Sequence, residues 1–201
     1  MTMRTLFGAT LLIAAALIFW AELLCARLLL PLLGGGASVW NTSLVFFQVA
    51  LLGGYLYAHA SVRWLPGRWG VFLHPALLLA AALALPISAA RLAPPAGGAN
   101  PIGWQLAALA LMVGAPFVVL SGTASLLQAW FARLDEKAAR DPYFLYAASN
   151  LGSLAALATY PTLAEPNLSL LQQSGLWSAG YLVVTGLALA CAAATALVGR
   201  A

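Results

Sequence analysis

The stretch Leu6–Leu30, LFGATLLIAAALIFWAELLCARLLL, decides the class of this chain. A helix rises about 1.5 Å per residue, so about 20 consecutive apolar residues cross the roughly 30 Å of bilayer hydrocarbon. Leu6–Leu30 exceeds that length, with Glu22 and Arg27 its only charged residues. Outward from it the pattern repeats in the windows Ser38–Ala60, Trp69–Ala89, Pro101–Trp130, Pro142–Pro161 and Ser174–Val198, separated by short connections rich in Gly, Pro or charge. Over the 201 residues 63% are hydrophobic and 7% charged, where a soluble domain carries roughly 25% charged residues to face water. No window alternates as a barrel strand does, and Ala and Leu favour helix. The expected fold is all-α: one integral membrane domain, 1–201, a polytopic bundle of six transmembrane helices spanning about 6–30, 38–60, 69–89, 101–130, 142–161 and 174–198.

Lys and Arg set the expected orientation. With the N-terminus inside, Arg4, Arg63, Arg68, Arg133, Lys137, Arg140 and Arg200 fall on the inner side and Arg91 alone on the outer, with Arg27 inside the first span. This bias predicts both termini in the cytoplasm of a bacterial inner membrane. The net charge of +4 is then lipid-headgroup and orientation chemistry, and calls for membrane lipids and no nucleic acid as partners. Met1–Phe19 could pass for a signal peptide, but the apolar run continues to Leu33 with no small-residue cleavage site, and Leu24 before Cys25 suits lipoprotein processing poorly; the first span is expected to stay. Cys25 and Cys191 fall at different depths and are expected to pack as small apolar residues without a disulfide.

The connections read as turns. Pro31–Ala37, centred on Gly34-Gly35-Gly36, lacks the spacing of a phosphate loop and predicts a tight interhelical turn. Ala90–Asn100, with Pro94-Pro95 and Gly97-Gly98, reads as irregular chain, after which Asn100 caps a helix opened by Pro101. The one dense charge cluster, 133–141, predicts a solvated inner turn, and Asp141-Pro142 starts the fifth span. Pro116 should kink or break the fourth span, with Gly114 allowing a neighbour close approach.

Polar residues inside the spans are the candidate site. Glu22 lies about 12 Å below the outer end of the first span, where a lipid-facing carboxylate is costly. It is expected to face protein near Gln48, either as a structural hydrogen-bond anchor or as a proton or cation site. Arg27, poorly placed to pair with Glu22, is expected to reach the outer headgroups. Three stripes at helical spacing, Gln48/Leu52/Tyr55/His59, Ser121/Ser125/Gln128 and Tyr143/Tyr146/Asn150/Ser153, are expected to point into the bundle and bond across it, Asn150 towards Ser121 or Ser125. His59 and His74 have no ligand at metal spacing, and no nucleophilic or hydrolytic constellation is present, so neither cofactor, metal nor catalytic residue is expected.

The run Ser121-Gly122-Thr123-Ala124-Ser125-Leu126-Leu127-Gln128-Ala129-Trp130-Phe131, followed by Asp141-Pro142-Tyr143-Phe144-Leu145-Tyr146-Ala147-Ala148-Ser149-Asn150-Leu151-Gly152-Ser153, resembles the membrane region of bacterial fused major-facilitator/spermidine-synthase-like proteins. Tyr160-Pro161, Glu165-Pro166, Gln172 and Leu176-Trp177-Ser178 extend the likeness, as do Pro31, Gly34-Gly35, Ser38-Val39-Trp40 and Gly54-Tyr55-Leu56-Tyr57-Ala58-His59. The resemblance implies a fold similar to half of a major-facilitator transporter, with the glycine-rich loop and catalytic aspartates of the soluble synthase domain lacking here. One six-helix half needs a partner or a second copy. The functional expectation is a non-catalytic membrane subunit or anchor of a larger complex, with other membrane-protein subunits or a homo-oligomer as partners. The alternative is a small-molecule transporter, for polyamine-like cations, acting as an oligomer.

Overall fold

The computed structural model describes residues 2–65, 67, 70–90, 92–93, 100–134 and 143–198. Arg68, Arg91, Lys137, Arg140 and Arg200 lie outside the described residues. So do Pro94-Pro95, Gly97-Gly98, most of the 133–141 cluster and the Asp141-Pro142 helix start.

Helix α1, Met3–Leu33, starts at Thr2, whose Oγ1 accepts from the Thr5 N–H at 3.3 Å. It runs through Pro31, in its last turn, rather than ending there. Gly34 stops it with φ 74°, a conformation that suits glycine, while its N–H reaches the Leu30 carbonyl at 2.9 Å. The expected tight turn is thus only Gly34–Gly36, and α2 follows as Ala37–Trp64.

The third expected span is shorter than its window. Gly70–Phe72 is a 3-10 turn, α3 covers Leu73–Ala81, and a second 3-10 turn, Ala82–Ala84, ends it. Leu85, held extended at ψ 155° before Pro86, stops the helix, because the proline ring disfavours helical backbone at the preceding residue. Gly70–Ala84 is a run of about 22 Å. The chain then runs irregularly, with Ile87 buried and its carbonyl accepting from Ser174 Oγ at 2.5 Å.

Helices α4 (Pro101–Leu109), α5 (Ala115–Ser121) and α6 (Thr123–Phe131) form one rod, Pro101–Phe131. Asn100 caps it as expected, its Oδ1 accepting from the N–H groups of Ile102 (3.0 Å) and Gly103 (3.4 Å). Pro116 does break the α-pattern. The backbone widens into a π-turn over Ala110–Gly114, which accommodates the missing N–H and the ring's bulk against the preceding turn. Gly114 is not a close-approach site: a Cβ there would make only ordinary contacts with Ala110 and Phe46.

Helix α7 (Tyr143–Thr159) runs into a second π-turn, Tyr160–Ala164, around Pro161, and then a single turn, α8 (Glu165–Asn167). The fifth helical run therefore extends past the expected end at Pro161. Helix α9, Leu170–Val198, begins one turn earlier than its window. Four of these runs are long and apolar enough to cross a membrane: Met3–Leu33, Ala37–Trp64, Pro101–Phe131 and Leu170–Leu197.

Helix α1 is the axis of the molecule, with buried residues on it from Leu6 to Leu29. It packs mainly on α7 and α9, while α2 packs on the α4–α6 rod. Glycines allow the closest approaches: a Cβ on Gly152 would collide with the Leu12 carbonyl of α1, and one on Gly54 with Ser121 and the Val118 carbonyl of α5. Phe47, Phe117, Leu109 and Trp177 form one core; Phe7, Leu127, Phe131 and Leu145 form the other. Cys25 and Cys191 are free and buried within these cores, as expected of packing residues.

Candidate functional site: a polar trough along α1

Because α7 sits against α1 and α2 against the α4–α6 rod, the second and seventh helices make no extended contact with each other. A trough opens between them with α1 as its floor. Along it lies a cavity of about 310 Å³, lined by Leu11, Ala15 and Ile18 of α1, Leu51 and Tyr55 of α2, Ser121 and Ala124 of the rod, and Ser149, Asn150 and Ser153 of α7.

The polar stripes read from the sequence border this opening instead of bonding across a closed bundle. Gln48, Tyr55 and His59 of α2 are exposed, Tyr55 by 48%. On α7 Tyr143, Tyr146 and Asn150 are exposed, the two tyrosines by 76% and 51%. Tyr55 and Asn150 line the cavity, and helical spacing puts Gln48 and His59 beside the first and Tyr146 beside the second. The expected bond from Asn150 to Ser121 or Ser125 is not made. Ser121 is buried and donates to the Val118 carbonyl at 2.9 Å in its own helix, and Ser153 does the same towards Ser149 at 3.1 Å. Ser125 and Gln128 are half-buried. The reason is the placement of α7: its packing face is the small-residue side at Gly152 and Ala156, which turns the amide and phenols outward.

Glu22 is half-buried on the α1 face that carries Leu11, Ala15 and Ile18, so it stands over the same trough. It has no hydrogen bond or ion pair among the described residues. The expected bond to Gln48 is overturned, since Gln48 is turned out on α2. Arg27 does not simply reach outward either. Its Nη1 meets Glu165 Oε1 at 2.6 Å, an ion pair that joins α1 to α8.

The polar contacts that do bridge helices come from residues the stripes left out. Tyr57 Oη and His74 Nδ1 are 2.5 Å apart, and His74 Nε2 lies 3.1 Å from Thr123 Oγ1, tying α2, α3 and α6 together with Trp130 edge-on to the imidazole. Gln105 Nε2 donates to the Val39 carbonyl (2.7 Å) and Ser43 Oγ (2.8 Å). Tyr160 donates to Gln173 Oε1 at 2.8 Å, and Trp177 Nε1 to the Leu17 carbonyl at 2.8 Å. A usable signal was present: Gln105 and His74 are lone polar residues whose helical neighbours Ala108, Leu109, Leu78 and Ala81 are all apolar and buried. Polar residues in a row mark an open face; a solitary one marks a packed face.

Among the described residues no three His, Cys, Asp or Glu side chains stand together as a metal cluster would require. The arrangement supplies instead a trough bordered by hydrogen-bonding side chains, with one half-buried carboxyl group on its α1 floor. No protein-family model, curated protein or solved structure matches this chain.

Proposed function

We propose that the chain is a multi-pass bacterial inner-membrane protein, with both termini cytoplasmic, that acts as a non-catalytic subunit or anchor. In this reading a second helical membrane body covers its trough. The observation that carries it is the trough itself: Gln48, Tyr55, Tyr146 and Asn150 open along a molecule whose other exposed helix faces are Leu- and Val-rich. Lipid cannot satisfy amide and hydroxyl groups, so in a bilayer such a face is stable only against protein or water. The likeness to the membrane region of fused spermidine-synthase-like proteins, with its six-helix half, favours the same incompleteness.

Native mass measurement of the particle extracted in mild detergent tests this. A heteromeric mass supports the subunit reading. A strict monomer that retains function in vesicles overturns it. Orientation is tested separately by thiol labelling of cysteines placed at Ala96 and Glu136, where external access at Glu136 alone would reverse the topology.

The second reading is an oligomeric small-molecule transporter, favoured by Glu22, which has no partner among the described residues and shares the α1 face of the polar-lined cavity. Here Glu22→Gln abolishes flux while the particle assembles normally, whereas a purely structural Glu22 tolerates glutamine in both respects.

A further inference from the structure

We propose that the chain holds a zwitterionic, amine-bearing phospholipid at the Arg27–Glu165 pair, a site separate from the trough's cavity; the proposal rests on the membrane placement above. A second cavity of about 350 Å³ lies at the Gly34–Gly36 end, between α1, the first turns of α2 and the Pro161 π-turn. Its size falls at the lower end of small-molecule sites, about 300–1,000 Å³. The walls are Leu23, Leu30, Val39, Trp40, Leu157 and Pro161, an apolar surface suited to an acyl chain.

Arg27 and Glu165 stand in the lining, 43% and 34% exposed. The pair is joined at Arg27 Nη1 and Glu165 Oε1, and both side chains keep a third or more of their surface exposed. Neither side chain makes a hydrogen bond to a third residue among the described residues. Donors for an anion and an acceptor for a cation therefore sit side by side above an apolar slot. Arg27 is about 9 Å below the end of α1, and the indole of Trp40 is 50% exposed nearby, which is headgroup depth with an interfacial aromatic.

Charge complementarity selects the head. A phosphate alone satisfies Arg27 but sets a second anion against Glu165. A head that carries phosphate and ammonium a few bonds apart satisfies both, with the phosphate on the guanidinium and the ammonium on the carboxylate, and leaves the ion pair intact. Phosphatidylethanolamine has that head; phosphatidylglycerol, with the same tails, lacks the ammonium.

The test is competition in native mass spectrometry. The detergent-extracted chain is exchanged with an equimolar mixture of phosphatidylethanolamine and phosphatidylglycerol, and retained lipid is weighed. The wild type is expected to keep one phosphatidylethanolamine, preferred by about tenfold, the effect of one charge-assisted hydrogen bond. Glu165→Gln should erase the preference while lipid still binds. Ala26→Trp, which fills the cavity and leaves the ion pair in place, should reduce retention of both lipids. Equal retention of the two lipids by the wild type, which needs no variant to fold, overturns the proposal, as does an unchanged preference in Glu165→Gln. A chain recovered in the soluble fraction without detergent would instead overturn the membrane reading beneath it.

Discussion

At the residue scale the polar groups sort by whether the fold gives them a partner. The Tyr181 hydroxyl is fully buried and has no partner among the described residues, whereas that of Tyr160 donates to Gln173. A buried unsatisfied hydroxyl costs about 1–3 kcal/mol, and a made bond returns about 1. Tyr181→Phe should therefore keep or raise the Tm in detergent, and Tyr160→Phe should lower stability by about 1 kcal/mol with Gln173 left short of a donor. A second pair isolates packing. Gly152→Ala forces a Cβ into the Leu12 carbonyl and should cost about 1–3 kcal/mol as overpacking. Gly186→Ala meets nothing within 4 Å and should stabilise α9 by about 0.5–1 kcal/mol. Thermal unfolding of the four variants under one condition reads both contrasts.

At the element scale the two π-turns are the feature that alters helix faces. A π-turn carries one residue more than an α-turn, so the Ala110–Gly114 turn rotates α4 against α5 by about 100°, one residue's step. That rotation lets Gln105 face Ser43 and Val39 while Phe117 and Leu120 stay in the core. Deleting Leu111, which is 75% exposed within the π-turn, should restore α-geometry with both faces still in register and cost less than about 1.5 kcal/mol. Deleting Leu106, inside α4, shifts Gln105 and the helix before it off their faces and should prevent a folded particle. Size-exclusion and thermal profiles of the two deletions distinguish them; equal damage would show that the π-turn does not set the register. Pro116 gave notice of a break in the sequence, but nothing in the sequence showed whether it would be a kink, a π-turn or a gap. That choice depends on which face the neighbouring helices accept.

At the scale of the whole molecule the proposed subunit role has a direct consequence at the trough. Cysteines at Gln48 and Asn150, on opposite walls, should form cross-links to another polypeptide in native membranes. A cysteine at Leu171, 80% exposed on α9 away from the trough, should not. Cross-linking at Leu171 with none at the walls would move the contact surface elsewhere.

The sequence by itself determined the all-helical class, the long apolar runs, the Asn100 cap, a glycine turn centred on Gly34–Gly36 and the disruption at Pro116. These follow from composition, chain length and backbone chemistry within a few residues. The polar residues were also visible, and the periodicity grouped Gln48 with Tyr55 and Tyr146 with Asn150 correctly by face. Which face turns inward was not legible, because in an apolar helix polarity does not drive burial; small-residue contacts such as Gly152 on Leu12 and Gly54 on Ser121 do. Tertiary packing alone decided that those stripes open onto a trough, that Arg27 finds Glu165 across more than 130 residues of chain, and that Glu22 has no partner among the described residues. Such pairings depend on distances between helices, which no local pattern encodes.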